Sequence, residues 1–218
     1  PQGVMVGEQG RIHVADTGND RLSLWRPADK MPWIGRLRID GVGGGDAVLR
    51  AEVNPRGLQT SYHFEYRPLN GSKFQSSPVS PEEIGNGTSP VEVTQHPTGL
   101  ERNTHHHYRL VAENSAGKST SEERLFITTT VPPGATTLSA TEVGLKGATL
   151  RGAVQPENSP TGYRFEYGKT TAYGSYAPAS FTNGKTVAYE AVQEIEGLQP
   201  ETTYHYRLVA KNGKGELG

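Results

Sequence analysis

Tyr163-Arg164-Phe165-Glu166-Tyr167 is the stretch that best indicates the fold, because aromatic and charged residues alternate along it. An extended strand points successive side chains to opposite faces, so the three rings would share one buried face. Tyr62-His63-Phe64-Glu65-Tyr66 repeats this pattern in the first half of the chain. Both stretches predict half-buried strands of an antiparallel sheet.

The repeat extends well beyond these two strands. A similar block precedes each of the two stretches: Ala47-Val48-Leu49-Arg50 lies before Tyr62, and Ala148-Thr149-Leu150-Arg151 lies before Tyr163. A similar block also follows each stretch: Tyr108-Arg109-Leu110-Val111-Ala112 in the first copy and Tyr206-Arg207-Leu208-Val209-Ala210 in the second. The first copy has three more residues than the second between these blocks. Two copies of one folding unit are therefore predicted. We expect the extra residues in a loop at 78–90.

The spacing of turn residues predicts an all-β fold. The chain has 218 residues, of which 27 are Gly and 15 are Pro, and this density disfavours long helices. Asn-Gly pairs begin at Asn70, Asn86, Asn183 and Asn212 and indicate hairpin turns. We expect two antiparallel, immunoglobulin-like sandwiches in tandem with almost no helix.

Composition excludes several classes of function. The net charge of -1 provides no basic excess for nucleic acid or anionic lipid, and no apolar run is long enough to span a membrane. Cysteine is absent, which excludes disulfide scaffolds, thiol nucleophiles and cysteine-ligated metals. No phosphate-binding, dinucleotide-binding or nucleophile-elbow motif is present either, so we expect no enzyme, no catalytic residues and no cofactor.

The second copy resembles fibronectin type III domains. Leu198-Gln199-Pro200-Glu201-Thr202-Thr203-Tyr204 is similar to the family's tyrosine corner, and the block from Ala148 to Pro156 is similar to copies found in bacterial surface and secreted proteins. The resemblance implies domains at 29–130 and 131–218 and a tyrosine whose hydroxyl bonds to the backbone. The first copy departs from it with Arg102 and His106. The second copy is expected to be truncated at its C-terminal end, without residues for a last strand, which would leave its sheet edge open.

The first 28 residues do not match the repeat. Val14-Ala15-Asp16-Thr17-Gly18-Asn19-Asp20-Arg21 resembles the NHL repeat, one blade of a β-propeller. Strands are expected at residues 4–6, 11–15 and near 22–25. A propeller needs several blades, so the resemblance implies the last blade of a larger propeller. The oxygen-bearing residues 16–20 could also bind Ca²⁺, but a structural turn fits their spacing better.

Three histidines form the most conspicuous cluster, His105-His106-His107. On a strand His105 and His107 would share one face and could bind Zn²⁺ or Ni²⁺. No third ligand is recognisable nearby, and His106 takes the place of the corner tyrosine. The pattern therefore favours a structural role, and no metal site is predicted.

Acidic pairs and tyrosines supply the remaining candidates. Glu82-Glu83 and Glu122-Glu123 are adjacent in sequence, so their carboxylates should point apart into solvent instead of forming a catalytic pair. Tyr173, Tyr176 and Tyr189 could form a stacking platform for a sugar, although core packing is the alternative.

These observations predict non-catalytic spacer and interaction modules of a larger, extracellular NHL-propeller protein. The alternative is a carbohydrate- or peptide-binding accessory module of a carbohydrate-active or cell-wall enzyme. A protein or a cell-surface glycan is the expected partner. The extracellular or cell-surface location is implied by the family resemblance alone.

Overall fold

The chain divides into two compact units, residues 1–99 with 105–127 and residues 100–104 with 128–218. The structure is a computed structural model that describes the backbone of residues 3–6, 12–16 and 21–25 and all atoms of residues 30–218. The described residues contain no α-helix and all of their sheets are antiparallel, which confirms the predicted all-β class. The proposed boundaries at 28 and 130 remain predictions.

Three strands near the N-terminus form a sheet of their own. Strands β1 (Gly3–Val6), β2 (Ile12–Asp16) and β3 (Arg21–Trp25) pair in chain order. They lie where the sequence predicts strands, whereas residues 17–20 of the possible calcium loop lie outside the described residues. The NHL identity of this segment stays a prediction.

The first sandwich is built from nine short strands that follow one another along the chain. They are β4 (Trp33–Ile34), β5 (Arg38–Val42), β6 (Ala47–Asn54), β7 (Thr60–Pro68), β8 (Gln75–Gly85), β9 (Val91–Gln95), β10 (His105–Asn114), β11 (Gly117–Thr120) and β12 (Arg124–Ile127). In one sheet β6 lies between β9 and the pair β4 and β5; in the other the order is β11-β10-β7-β8, with β12 also on β10. Buried and partly exposed residues alternate along β6 and β7, as the sequence predicts.

The second sandwich repeats this strand order. Its strands are β13 (Gly134–Thr141), β14 (Gly147–Gln155), β15 (Thr161–Gly168), β16 (Ser175–Tyr176), β17 (Ser180–Thr182), β18 (Tyr189–Glu196), β19 (His205–Asn212) and β20 (Gly215–Leu217). One sheet has the order β13-β14-β18 and the other β16-β15-β19-β20, with β17 also on β15. Phe165 lies opposite Leu208 just as Phe64 lies opposite Leu110, and all four side chains are buried. The duplicated sequence therefore folds into a duplicated core.

One detail of the prediction was wrong. Residues 78–85 are strand and not loop, because β8 continues to Gly85. Strand β20 pairs with Ala210–Asn212 and corresponds to β11 of the first copy. Strands this short show no sequence periodicity, which is why the pattern alone did not indicate β20.

An asparagine at the end of β10 and of β19 holds the hairpin that follows it. The side-chain oxygen of Asn114 accepts a hydrogen bond from the Ala116 amide at 2.9 Å, and that of Asn212 accepts one from the Lys214 amide at 2.8 Å. Each amide nitrogen donates in turn to a carbonyl just before its own sandwich, Lys30 and Val131 respectively. The side chain thus ties the hairpin to the start of the module.

A substitution at Gly152 tests how tightly the core of the second sandwich is packed. A Cβ at this position would lie 2.7 Å from Leu208 Cδ2 and 2.9 Å from the carbonyl oxygen of Thr136. We therefore predict that Gly152→Ala lowers the free energy of unfolding by about 1–3 kcal/mol, because the backbone must shift. Gly213→Ala is the matched control, since nothing lies within 4 Å of its added Cβ. Equal midpoints for both variants in urea denaturation would contradict this packing.

Candidate functional site

The loop between β18 and β19 forms the predicted tyrosine corner. The Tyr204 hydroxyl accepts a hydrogen bond from the Gln199 backbone amide at 3.1 Å, which confirms the predicted bond to the backbone. Glu201 supports the bend with a positive φ of 54°. The corner fixes Tyr204 at the edge of the second sandwich.

An apolar cleft lies beside this corner, and we call it the corner cleft. Its volume is about 420 Å³, within the range of small-ligand pockets. Three tyrosines contribute to its lining, as do apolar residues of both sheets and of the two adjoining loops: Tyr167, Tyr204, Tyr206, Leu150, Leu198 and Pro200. Val143 and Leu145 also border the cleft and are 75% and 80% exposed. Large apolar side chains of this exposure at the mouth of a cleft are typical of an interaction site.

In the first sandwich the corner carries a histidine in place of the tyrosine. His106 and Tyr108 occupy the positions that match Tyr204 and Tyr206 in the repeat. Phe126 of β12 stacks on His106 with a centroid distance of 5.2 Å and meets Tyr108 edge-on at 5.7 Å. The corner of the first copy is therefore held by ring packing, and His106 is 1% exposed.

The edge of β19 adjoins the corner cleft. Strand β20 pairs only with Ala210–Asn212, and among the described residues no strand pairs with that side of β19 from 205 to 208. The Leu208 amide donates instead to Thr137 Oγ1 at 2.9 Å, and the Tyr206 hydroxyl donates to the Leu138 carbonyl. The corner cleft is the candidate site, and a side chain of β13 bonds to the edge of β19 beside it.

The structure separates the three histidines as the strand pattern predicts. His105 is exposed, His106 is buried, and His107 Nδ1 lies 3.3 Å from a carboxylate oxygen of Glu123. Within residues 30–218 no group of three or more potential metal ligands comes together. His106 therefore serves the core, and His107 belongs to a surface charge cluster.

The acidic pairs are engaged in hydrogen bonds with different neighbours. Glu82 accepts from the Tyr62 hydroxyl at 3.0 Å, whereas Glu83 accepts from Gln59 at 2.7 Å. Glu123 lies within 3.4 Å of the guanidinium groups of Arg67 and Arg109. These contacts bind neighbouring strands together and do not converge on a common reaction centre.

The three tyrosines do not form one platform. The guanidinium carbon of Arg207 lies over the ring of Tyr173, 4.9 Å from the ring centroid. The Tyr176 side chain is 73% exposed. Tyr189 lies on β18 in the other sheet, where its hydroxyl meets that of Tyr163. Burial and this hydrogen bond raise the pKa of Tyr189 to about 12. The structure does not support the sugar-stacking hypothesis for this set, because Tyr173 lies in a loop while Tyr176 and Tyr189 lie on strands of different sheets.

An ion pair stacked on an aromatic ring recurs on the outer face of both sandwiches. Arg109 Nε donates to Glu65 at 2.7 Å and its guanidinium lies 4.2 Å from the Phe74 ring centroid. In the second copy Arg207 donates to Glu166 at 2.8 Å and 3.0 Å while covering Tyr173. Sequence analysis missed Phe74, which lies in a loop without periodicity, and assigned Tyr173 a different role.

Hydrogen bonds from arginine hold these carboxylates ionised. Arg164 and then Arg207 donate to Glu166 and lower its pKa. Burial of Glu65 opposes the charged form, but the hydrogen bond and charge of Arg109 outweigh it and also lower the pKa. A lowered carboxylate pKa stabilises the folded state at pH values above the ordinary glutamate pKa. This stabilisation is lost as the pH falls through the folded-state pKa.

Strand order and the tyrosine corner together define a tandem of fibronectin type III-like sandwiches. No family model and no curated protein matches the chain. Among solved structures, the FN1–FN3 fragment of chicken CNTN1 is 16% identical with a TM-score of 0.47, covering 85% of this chain and 63% of that fragment. A two-domain fibronectin type III segment of chicken tenascin is 18% identical with a TM-score of 0.38, covering 86% of this chain and 95% of that segment.

Glu166→Gln tests the charged cluster of the second sandwich. We predict that it lowers the free energy of unfolding by about 1–2 kcal/mol at pH 7, because two charge-assisted bonds are weakened. The difference from wild type should shrink as the pH falls below the ordinary glutamate pKa of 4.5 and through the lowered folded-state pKa of Glu166, where the native carboxylate itself becomes protonated. Urea denaturation of both proteins at pH 7 and at pH 3 measures this difference in the free energy of unfolding. A difference that grows in acid would contradict the assignment.

Proposed function

We propose that this chain supplies non-catalytic interaction and spacer modules of a larger extracellular protein. Fibronectin type III-like sandwiches commonly act in this way. The observation that carries the proposal is the duplication: both copies keep the same sheet order, the same hairpin asparagine and the same arginine–aromatic pair. Repeated structural features of this kind suit modules that are joined in series.

The electrostatics of the carboxylates agree with this proposal. A general acid near neutral pH needs a raised carboxylate pKa. The pKa values of Glu65, Glu92 and Glu166 are lowered instead, because arginine hydrogen bonds stabilise the ionised forms. These groups therefore act as acceptors in structural ion pairs.

The N-terminal segment supports the wider context that we propose. Its three paired strands and the stretch from Val14 to Arg21 are consistent with the last blade of an NHL propeller on a bacterial surface or secreted protein. The sequence upstream of Pro1 in the gene provides the test. It should encode further blades with the same signature, about four to eight in all.

A second candidate function is an accessory module that binds a peptide or carbohydrate within a cell-wall or carbohydrate-active enzyme. The corner cleft favours the peptide version, because its apolar lining and the exposed Val143 and Leu145 at its border suit an apolar side chain of a bound segment. The carbohydrate version is less well supported, because the three predicted tyrosines do not lie together as a stacking platform.

No helix in the described ranges has the length and apolar character needed to cross a membrane.

Mechanical unfolding tests the spacer role. We predict that pulling the chain from both ends gives a separate event for each sandwich, because each has its own core. Each event should release about 30 nm of contour length at roughly 3.5 Å per residue. A single cooperative event that releases the whole chain would contradict the proposal. Glu166→Gln provides an internal control, since it should weaken only one of the two events.

A further inference from the structure

The four Asn-Gly pairs of the chain share a reactivity that other residue pairs have to a much smaller degree. They begin at Asn70, Asn86, Asn183 and Asn212. In such a pair the backbone nitrogen of the glycine can attack the side-chain carbonyl carbon of the asparagine, because glycine has no Cβ to hinder the approach. The attack requires a free asparagine side chain and a glycine backbone that can rotate, and the structure differs at the four pairs in both respects.

Contacts restrain three of the four pairs. The side chain of Asn212 is 8% exposed and is held at both ends by the hydrogen bonds of its hairpin. The Gly71 amide donates to the Pro68 carbonyl at 2.8 Å, which engages the attacking nitrogen of the pair at 70. Gly184 has a φ of +74°, and the Ser159 backbone lies so close that an added Cβ would come within 2.7 Å of it. Packing therefore limits rotation of the backbone in the pair at 183.

The pair at Asn86 has none of these restraints. It lies in the turn between β8 and β9, and both Asn86 and Gly87 are exposed. Within residues 30–218 neither the Asn86 side chain nor the Gly87 amide has a hydrogen-bond partner. A Cβ added at Gly87 would meet nothing within 4 Å, so the space around the attacking nitrogen is open.

We propose that Asn86 is a self-modification site, at which the turn converts asparagine into isoaspartate and aspartate. The Gly87 nitrogen gives its proton to hydroxide and forms a bond to Asn86 Cγ. The bond from Cγ to Nδ2 breaks, and the amide takes a proton from water and leaves as ammonia. Water then opens the cyclic imide at either carbonyl. The net reaction replaces an amide with a carboxylate and involves no oxidation.

The modification changes the charge of the turn and also its contacts. It makes the net charge of -1 one unit more negative. In the isoaspartate product the former side-chain carbons enter the backbone, which lengthens the turn by one atom. The Gly87 carbonyl accepts from the Gly57 amide at 2.9 Å, and the Thr88 carbonyl accepts from the Asn54 side chain at 2.9 Å. The longer backbone displaces these two carbonyls, so the turn detaches from the loop between β6 and β7.

Ageing of the purified whole chain at mildly alkaline pH tests this assignment. Peptide mapping by mass spectrometry, with an isoaspartate-specific methyltransferase as the probe, measures conversion at each of the four pairs. In the folded chain we expect Asn86 to convert about tenfold faster than the other three asparagines. In concentrated urea the four should convert at similar rates, because unfolding removes the restraints at the other three.

Two variants connect the reaction to the turn. Gly87→Ala leaves the fold intact, since its Cβ has open space, but the added methyl group should slow conversion of Asn86 about tenfold. Gly213→Ala is the matched control, because its Cβ also meets nothing within 4 Å and it lies outside this turn. In the aged wild-type chain the Gly57 amide should exchange with solvent faster than in the fresh chain, whereas amides of β6 and β7 keep their protection.

Three outcomes would overturn the proposal. They are conversion of another Asn-Gly pair as fast as Asn86 in the folded chain, an unchanged rate in Gly87→Ala, and no conversion of folded Asn86 under conditions that convert it in urea. None of them affects the mechanical test of the spacer role, so failure of the modification site and failure of the proposed function remain distinguishable.

Discussion

Phe64 and Phe165 each lie at the centre of one sandwich, and the rest of each module depends on their burial. Each ring faces a leucine across the strand pair, and the exposure of Phe64 and Phe165 is 0% and 1%. Burying a phenylalanine contributes about 2–3 kcal/mol, a large share of the stability of a small domain. Only one-third of the residues are hydrophobic, so these central contacts have few substitutes.

The outer faces of the sandwiches show how two copies of one fold can acquire different surfaces. Both keep an arginine between a glutamate and an aromatic ring, which holds neighbouring strands together without using the core. At the corner the copies differ in sequence, because His106 stands in the first copy where Tyr204 stands in the second. The His106 ring stacks on Phe126, whereas the Tyr204 hydroxyl accepts a backbone hydrogen bond and borders the corner cleft. The shared features explain stability, and the corner cleft is where we place binding.

Much of the fold follows from sequence because alternation and repetition are local signals. The block around Phe165 predicted its strand, its buried face and its counterpart in the first copy, and the corner at Tyr204 formed as expected. The rest depends on contacts between distant segments. Phe74 lies in a loop without a pattern, and the cleft exists only where the loop at 142–146 approaches the corner. Tyr189 shows the same limit, since residue type did not reveal which sheet its strand joins.

Hydrogen exchange in a Phe165→Ala variant of the whole chain tests the central claim, that each copy is stabilised by its own core. The substitution should cost about 3–5 kcal/mol within the second sandwich. The account predicts that amides of β14, β15 and β19 lose most of their protection while those of β6, β7 and β10 keep theirs. A parallel loss of protection in both sets of strands would show one shared core and contradict the account.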